Sequence, residues 1–171
     1  MRERGFSLVE TLVAVGVTST ILLSIAGMFV MGTKEIESGR NLTEGSQAGQ
    51  GLIEEIQTMH RTQIYGLLNG ATTDTTVTWS SDTAVPTYTG ANTDFATDYA
   101  AILNRWRTQV QDSVPRSGYS IKVDGFVNRP TSGSNGTSTF GAARFVRVEL
   151  TIFWKEGAKR SRNVVFDFLK F

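Results

Sequence analysis

Residues Thr11 to Thr33 carry no charged side chain, and no other stretch limits so firmly what this chain can fold into. As an α-helix the run spans about 34 Å, enough to cross a hydrocarbon core about 30 Å thick. Directly ahead of it lie Gly5, Phe6, Ser7, Leu8, Val9 and Glu10, preceded by a short start that includes Arg2 and Arg4. An ordinary signal peptide is cut after its apolar region. Here the small residue suited to cleavage, Gly5, precedes that region, so processing would leave the anchor attached. The chain is therefore expected to be a single-pass membrane protein.

Glu10 is the exception inside the apolar segment. A carboxylate at the centre of a spanning helix costs about 2.5 to 3.5 kcal/mol, and less near its end, so it needs a partner. One reading has Glu10 reaching the headgroup region, about one helical turn from the basic leader. The other comes from a resemblance: Gly5-Phe6 with Glu10 ahead of an uncharged run resembles the class III prepilin signal of type IV pilin-like proteins. That resemblance implies a prepilin peptidase that removes residues 1–5 and N-methylates Phe6, leaving Glu10 fifth from the new end. It also implies that Glu10 pairs with the Phe6 ammonium of a neighbouring subunit during filament assembly.

After an anchor of this size about 130 residues remain, one ordinary domain with a real core. The expected organisation is a leader at 1–5, a transmembrane and filament-core half-helix at 6–33 and a globular head at 34–171. Charge is nearly balanced, with Lys+Arg 17 against Asp+Glu 16, and Cys is 0. Many major type IV pilins close their C-terminal region with a disulfide; this chain must hold its last strands by sheet pairing and apolar packing.

Leu42, Ala48, Leu52, Ile53, Ile56, Met59, Ile64, Leu67 and Leu68 recur largely at three- and four-residue steps, which predicts that helix continues past the membrane with one face on the head. Gly39, Gly45, Gly49 and Gly51 weaken it by about 1 kcal/mol each relative to alanine, so packing must supply its stability. Residues 69–94 are rich in Thr, Ser, Asp, Gly and Asn and read as a long loop. Thr76 to Ser80 form a candidate extra strand within it. Its charges, Asp74, Asp82 and Asp94, lack the ligand spacing of a calcium loop and read as solvated.

Asp94 reads as the cap of a second helix, with Tyr99, Ile102, Leu103, Trp106 and Val110 on one stripe and Pro115 at its end. Trp106 is expected to face inward and Arg105 and Arg107 outward. Beyond it the period falls to two. Tyr119, Ile121 and Val123 alternate with Ser120, Lys122 and Asp124, and Val146, Val148, Leu150, Ile152 and Trp154 alternate with Phe145, Arg147, Glu149, Thr151 and Phe153. Asn163 to Leu169 make a third strand after a turn at Lys155 to Lys159, and Pro130 to Gly141 a loop. The fold class is α+β: a long N-terminal helix packed on an antiparallel C-terminal sheet.

That order, with a Trp-containing helix, a proline and two long closing strands, resembles the PilV-type minor pilins. The resemblance implies a pilin-like ladle, a place in the bacterial inner membrane with the N-terminus cytoplasmic and the head exported, and later a place in a pilus at the cell surface. The implied function is that of a minor type IV pilin, which joins other minor pilins and the major pilin to prime pilus assembly, with the tip as one position. A pseudopilin of type II secretion and a tip adhesin or DNA-binding minor pilin are the alternatives. For the last, the candidate contact patch is Lys159, Arg160 and Arg162, in a C-terminal stretch where seven basic residues oppose three acidic ones; a solvated sheet face is the simpler reading.

Catalysis finds little support. His60 is the only histidine, it lies on the apolar-patterned helix, and neither a cysteine nucleophile nor a nucleotide-binding glycine motif accompanies it. Neither a cofactor nor a metal is expected.

Overall fold

A computed structural model of the chain describes residues 7–68, 72–80, 93–131, 134–156 and 160–171. Two compact units divide it, Met1–Arg40 and Asn41–Phe171. Helix α1, Leu8–Thr58, is 51 residues long and begins in the first unit. Helices α2 (Arg61–Leu67) and α3 (Thr93–Ser113) and strands β1 (Thr76–Ser80), β2 (Ser117–Phe126), β3 (Phe145–Glu156) and β4 (Arg160–Lys170) belong to the second. The layout is α+β, with one antiparallel sheet in the order β1-β2-β3-β4.

In the second unit, the last turns of α1 bury Gly45, Ala48, Gly49, Leu52 and Ile56, the three- and four-residue spacing of one helical face. The glycines have a packing reason. A Cβ at Gly45 would stand 3.2 Å from the Trp154 ring, and one at Gly49 would stand 3.1 Å from Ile152 and overlap the Phe166 ring. Helix backbone and sheet aromatics thus meet across a notch that only a missing side chain provides.

The apolar periodicity does not run through to Leu68 as one helix. α1 ends at Thr58, and His60 is the N-cap of α2. Its Nδ1 accepts from the Thr62 backbone N–H at 3.3 Å, and the Gln63 side chain accepts from the His60 N–H at 2.7 Å, a reciprocal capping box. Lys170 Nζ donates to the carbonyls of Gln57 and Met59 at the C-terminal end of α1, where a cation also meets the negative end of the helix dipole. Periodicity misses the break because Ile64 and Leu67 return to the same core.

The core lies between these helices and one face of the sheet. Tyr119, Ile121, Val123, Val146, Val148, Leu150, Ile152 and Trp154 are all at most 1% exposed. α3 closes the layer through Tyr99, Leu103, Trp106 and Val110, each buried. Trp106 faces inward as its spacing predicts, its Nε1 donating to Glu55 at 2.7 Å while Arg105 donates to the same carboxylate. Tyr119 donates its hydroxyl to the Leu103 carbonyl at 2.8 Å.

α3 starts at Thr93, which places Asp94 in its first turn rather than at the cap. It ends before Pro115; Arg116 then takes the left-handed conformation with φ 59°, and the Ser117 hydroxyl donates to the Val110 carbonyl at 3.0 Å. The sheet has four strands, because Thr76–Ser80 adds to β2 as an edge. The rest of the expected 69–94 loop, at 69–71 and 81–92 with Asp82, lies outside the described residues.

Candidate functional site

The first unit is a helix from Leu8 onward in which every described residue through Glu37 is exposed. Its most apolar 18-residue window has a mean hydropathy of 2.1, long and apolar enough to cross a membrane. Hydroxyls interrupt this surface, yet each has a place. Thr18, Ser19, Thr20 and Ser24 donate to the carbonyls of Ala14, Val15, Gly16 and Thr20 at 2.8, 2.7, 2.9 and 3.0 Å. Such back-bonding satisfies the donor inside the helix, so these residues add little to the cost of an apolar surrounding.

Glu10 cannot be accommodated that way. An ionised carboxylate only accepts hydrogen bonds, and the carbonyls along a helix accept too. It is exposed in the first turn of α1, where the positive end of the helix dipole favours a negative charge. From Leu8 to Thr33 it is the one charged residue. Its counter-charge must come from the start of its own chain or from another molecule. Gly5 and Phe6, the expected cleavage and methylation positions, lie outside the described residues, as does the leader.

The expected basic patch is only partly described. Lys159 lies outside the described residues, and nothing of the Arg160 side chain is described beyond its place at the start of β4. Arg162 is not a free cation: its Nε donates to Glu156 at 2.9 Å, beside the Trp154 indole, which donates to the same carboxylate at 3.3 Å. Arg162 is thus the one side chain of the expected patch that is described. Among the described residues, no cluster of three or more histidine, cysteine or carboxylate side chains could hold a metal. His60 is exposed and occupied in capping α2.

One charged constellation escapes the sequence. Asp124 and Arg147 stand opposite each other on β2 and β3, on the outer face of the sheet, and are 0% and 3% exposed. Arg147 Nη2 donates to Asp124 Oδ2 at 2.9 Å and also to the Ser134 carbonyl. Thr76 donates to Asp124 Oδ1 at 2.6 Å, and the Gly136 N–H at 3.1 Å. Lys122 lies 3.3 Å from Oδ2. Burial pushes the Asp124 carboxyl upward, but these hydrogen bonds and the Lys122 charge outweigh it and hold the group below its ordinary value.

The pair ties the loop after β2 down onto the sheet. That loop also donates from the Phe140 and Gly141 N–H groups to the carbonyls of Asp74 and Thr72, at 2.8 Å each, and the Phe140 ring stacks on Tyr65 at 4.7 Å. A hint existed in the sequence: Arg147 is the only basic residue among the outward-alternating positions of β3 between Phe145 and Phe153, and Asp124 ends the alternation of β2. Pairing them needed the strand register. Among the described residues Arg147 spends only Nη2 on these bonds, and its Nε and Nη1 are buried without a hydrogen-bond partner. No protein-family model matches this chain, and no curated protein or solved structure is significantly similar to it.

Proposed function

We propose that the chain is a type IV pilin-like subunit of the minor-pilin kind, held in the bacterial inner membrane by α1 and drawn from it into a filament that it helps to prime. One observation carries the reading. Between Leu8 and Thr33 Glu10 is the single charge on an otherwise apolar stretch of α1 whose Thr18, Ser19, Thr20 and Ser24 hydroxyls are satisfied internally, and it follows the Gly5-Phe6 junction at the spacing of a prepilin signal.

In a lone inserted helix the dipole at the start of α1 offsets only part of the cost of that carboxylate in lipid. Between subunits, a Glu10 facing the amino terminus of a neighbouring Phe6 forms an ion pair in a low-dielectric surrounding, where Coulomb attraction is several times stronger than in water. The same residue thus disfavours the isolated inserted chain and favours the assembled one. Pull-down of partner subunits from membranes tests this, comparing wild type with Glu10→Ala at equal expression. The variant is expected to insert as well or better and to recover fewer partners; unchanged recovery would mean that Glu10 only reaches the interface.

A further inference from the structure

Asparagine followed by glycine occurs twice in the chain, at Asn69 and Asn135, and the second step lies among the described residues, in the loop that follows β2. The backbone nitrogen after an asparagine is placed to close a five-membered ring on the side-chain Cγ, and glycine there leaves no Cβ in the way. Whether the ring forms in the folded protein depends on what surrounds those two atoms.

Lys122 Nζ donates to Asn135 Oδ1 at 2.9 Å. An ammonium only donates, so it fixes the amide with its carbonyl oxygen toward β2 and its Nδ2 away. Asn135 is exposed, which leaves that nitrogen a way out to solvent. A cation at this distance withdraws electrons from Cγ and meets the negative charge that builds on Oδ1 when Cγ is attacked, as an oxyanion donor does. The Gly136 N–H donates to Asp124 Oδ1 at 3.1 Å, so the proton that the attacking nitrogen must lose already points at a carboxylate. Gly136 is also held in place, since a Cβ there would overlap the Thr75 carbonyl. Lys122 Nζ stands 3.3 Å from Asp124 Oδ2, and one carboxylate thereby aligns both groups.

We propose that Asn135 is a self-modification site, converted through a cyclic imide to aspartate and isoaspartate, with Lys122 polarising the side-chain amide and Asp124 accepting the Gly136 proton. The Gly136 nitrogen bonds to Asn135 Cγ as its proton passes to Asp124. The tetrahedral oxyanion then collapses, the Cγ–Nδ2 bond breaks, and Nδ2 leaves as ammonia with the proton that Asp124 returns. Water is the only co-reactant. It opens the ring at either carbonyl, its hydroxyl going to the carbon and its hydrogen to the nitrogen; opening at Cγ gives aspartate and opening at the main-chain carbonyl gives isoaspartate. A carboxylate is a weak base toward an amide N–H, so the larger share of the acceleration falls to Lys122.

Lys122 itself is not the nucleophile, because a lysine ammonium has no free electron pair. The products change the loop in one direction only. Each places a new carboxylate beside Lys122, and isoaspartate lengthens the main chain by one methylene between Ser134 and Gly136, the two residues that bond Arg147 and Asp124. Conversion thus loosens the cover over the buried pair and records the age of the chain.

Full-length protein purified from membranes in detergent is incubated in its native state and, at the same pH, denatured in guanidinium chloride. Mass spectrometry follows the peptide containing Asn135 for the conversion of amide to acid, and chromatography separates isoaspartate from aspartate. Asn135 should convert about tenfold faster in the native chain, less than an enclosed oxyanion donor supplies, because the Lys122 side chain is 27% exposed. Lys122→Met should bring the native rate down to that of the denatured chain, and Lys122→Arg, which keeps a cationic donor, should restore part of it. A native rate equal to or below the denatured one overturns the proposal whatever the variants do. So does a native rate that Lys122→Met leaves unchanged, or a peptide in which Lys122 is joined covalently to Asn135, since the amine would then be the group that attacks.

Discussion

Arg147 donates to Asp124 at 2.9 Å across the β2–β3 ladder, and both side chains are sealed beneath the loop that follows β2. Removing one partner leaves the other charge buried. Asp124→Ala is expected to destabilise the folded head by about 3 to 5 kcal/mol, whereas replacing both residues with apolar ones of similar volume should restore much of the loss. Urea denaturation of a fragment beginning at Lys34 measures both. That fragment is itself expected to fold, since the buried core lies within Asn41–Phe171.

The same pair sets an acid response. Asp124 titrates below its ordinary value of 3.8 in the folded protein, so the folded state holds its proton more weakly than the unfolded chain. Its contribution to stability is complete above the unfolded value and is lost as pH falls through the lowered folded one. Below about pH 4 the denaturation midpoint of wild type should therefore fall more steeply than that of Asp124→Asn, which has no proton to take up there.

Gly49 and Gly51 stand two residues apart on α1 and should respond to alanine with opposite signs. At Gly49 the added methyl overlaps the Phe166 ring and comes within 3.1 Å of Ile152, and such overpacking costs about 1 to 3 kcal/mol. At Gly51 the nearest atom is the end of the flexible Gln109 side chain, 3.4 Å away, so Gly51→Ala should gain helix propensity of up to about 1 kcal/mol. Thermal unfolding of the two variants distinguishes a packing notch from a mere weakness.

Arg116 holds φ 59° in the turn between α3 and β2, a conformation that costs an L-residue about 1 to 2 kcal/mol. Arg116→Gly removes that strain but frees the unfolded chain, so a net stabilisation of about 0.5 to 1 kcal/mol is expected. A lower midpoint in the variant would mean that the arginine side chain contributes more than its backbone costs.

The parts of the fold that need no tertiary information could be read directly. An uncharged run longer than a bilayer is thick is apolar whatever surrounds it, and strict alternation from Phe145 to Trp154 has no helical interpretation. Trp106 was legible because helical spacing fixes its direction. The end of α1 was not, since His60 and Gln63 act through a capping geometry while the apolar spacing runs on across it. Gly45 and Gly49 read as weaknesses because only the sheet reveals what they admit. Asp124 and Arg147 appear in the sequence only as outward positions of two alternating strands, since nothing local announces that a Gly/Ser/Thr-rich loop folds over them. Of the candidate site, Glu10 was visible as a charge without a local partner, and the partner itself is a matter between molecules.

Whether Glu10 can meet a free Phe6 amine depends on where the mature chain begins. Mass spectrometry of the amino-terminal peptide, from protein isolated from membranes and filaments, is expected to find Phe6 first, with one methyl group on its amine, and Gly5→Leu should block the cut and leave the chain in the membrane. An intact Met1 in assembled filaments, or cleavage after the apolar helix instead of before it, would contradict the account.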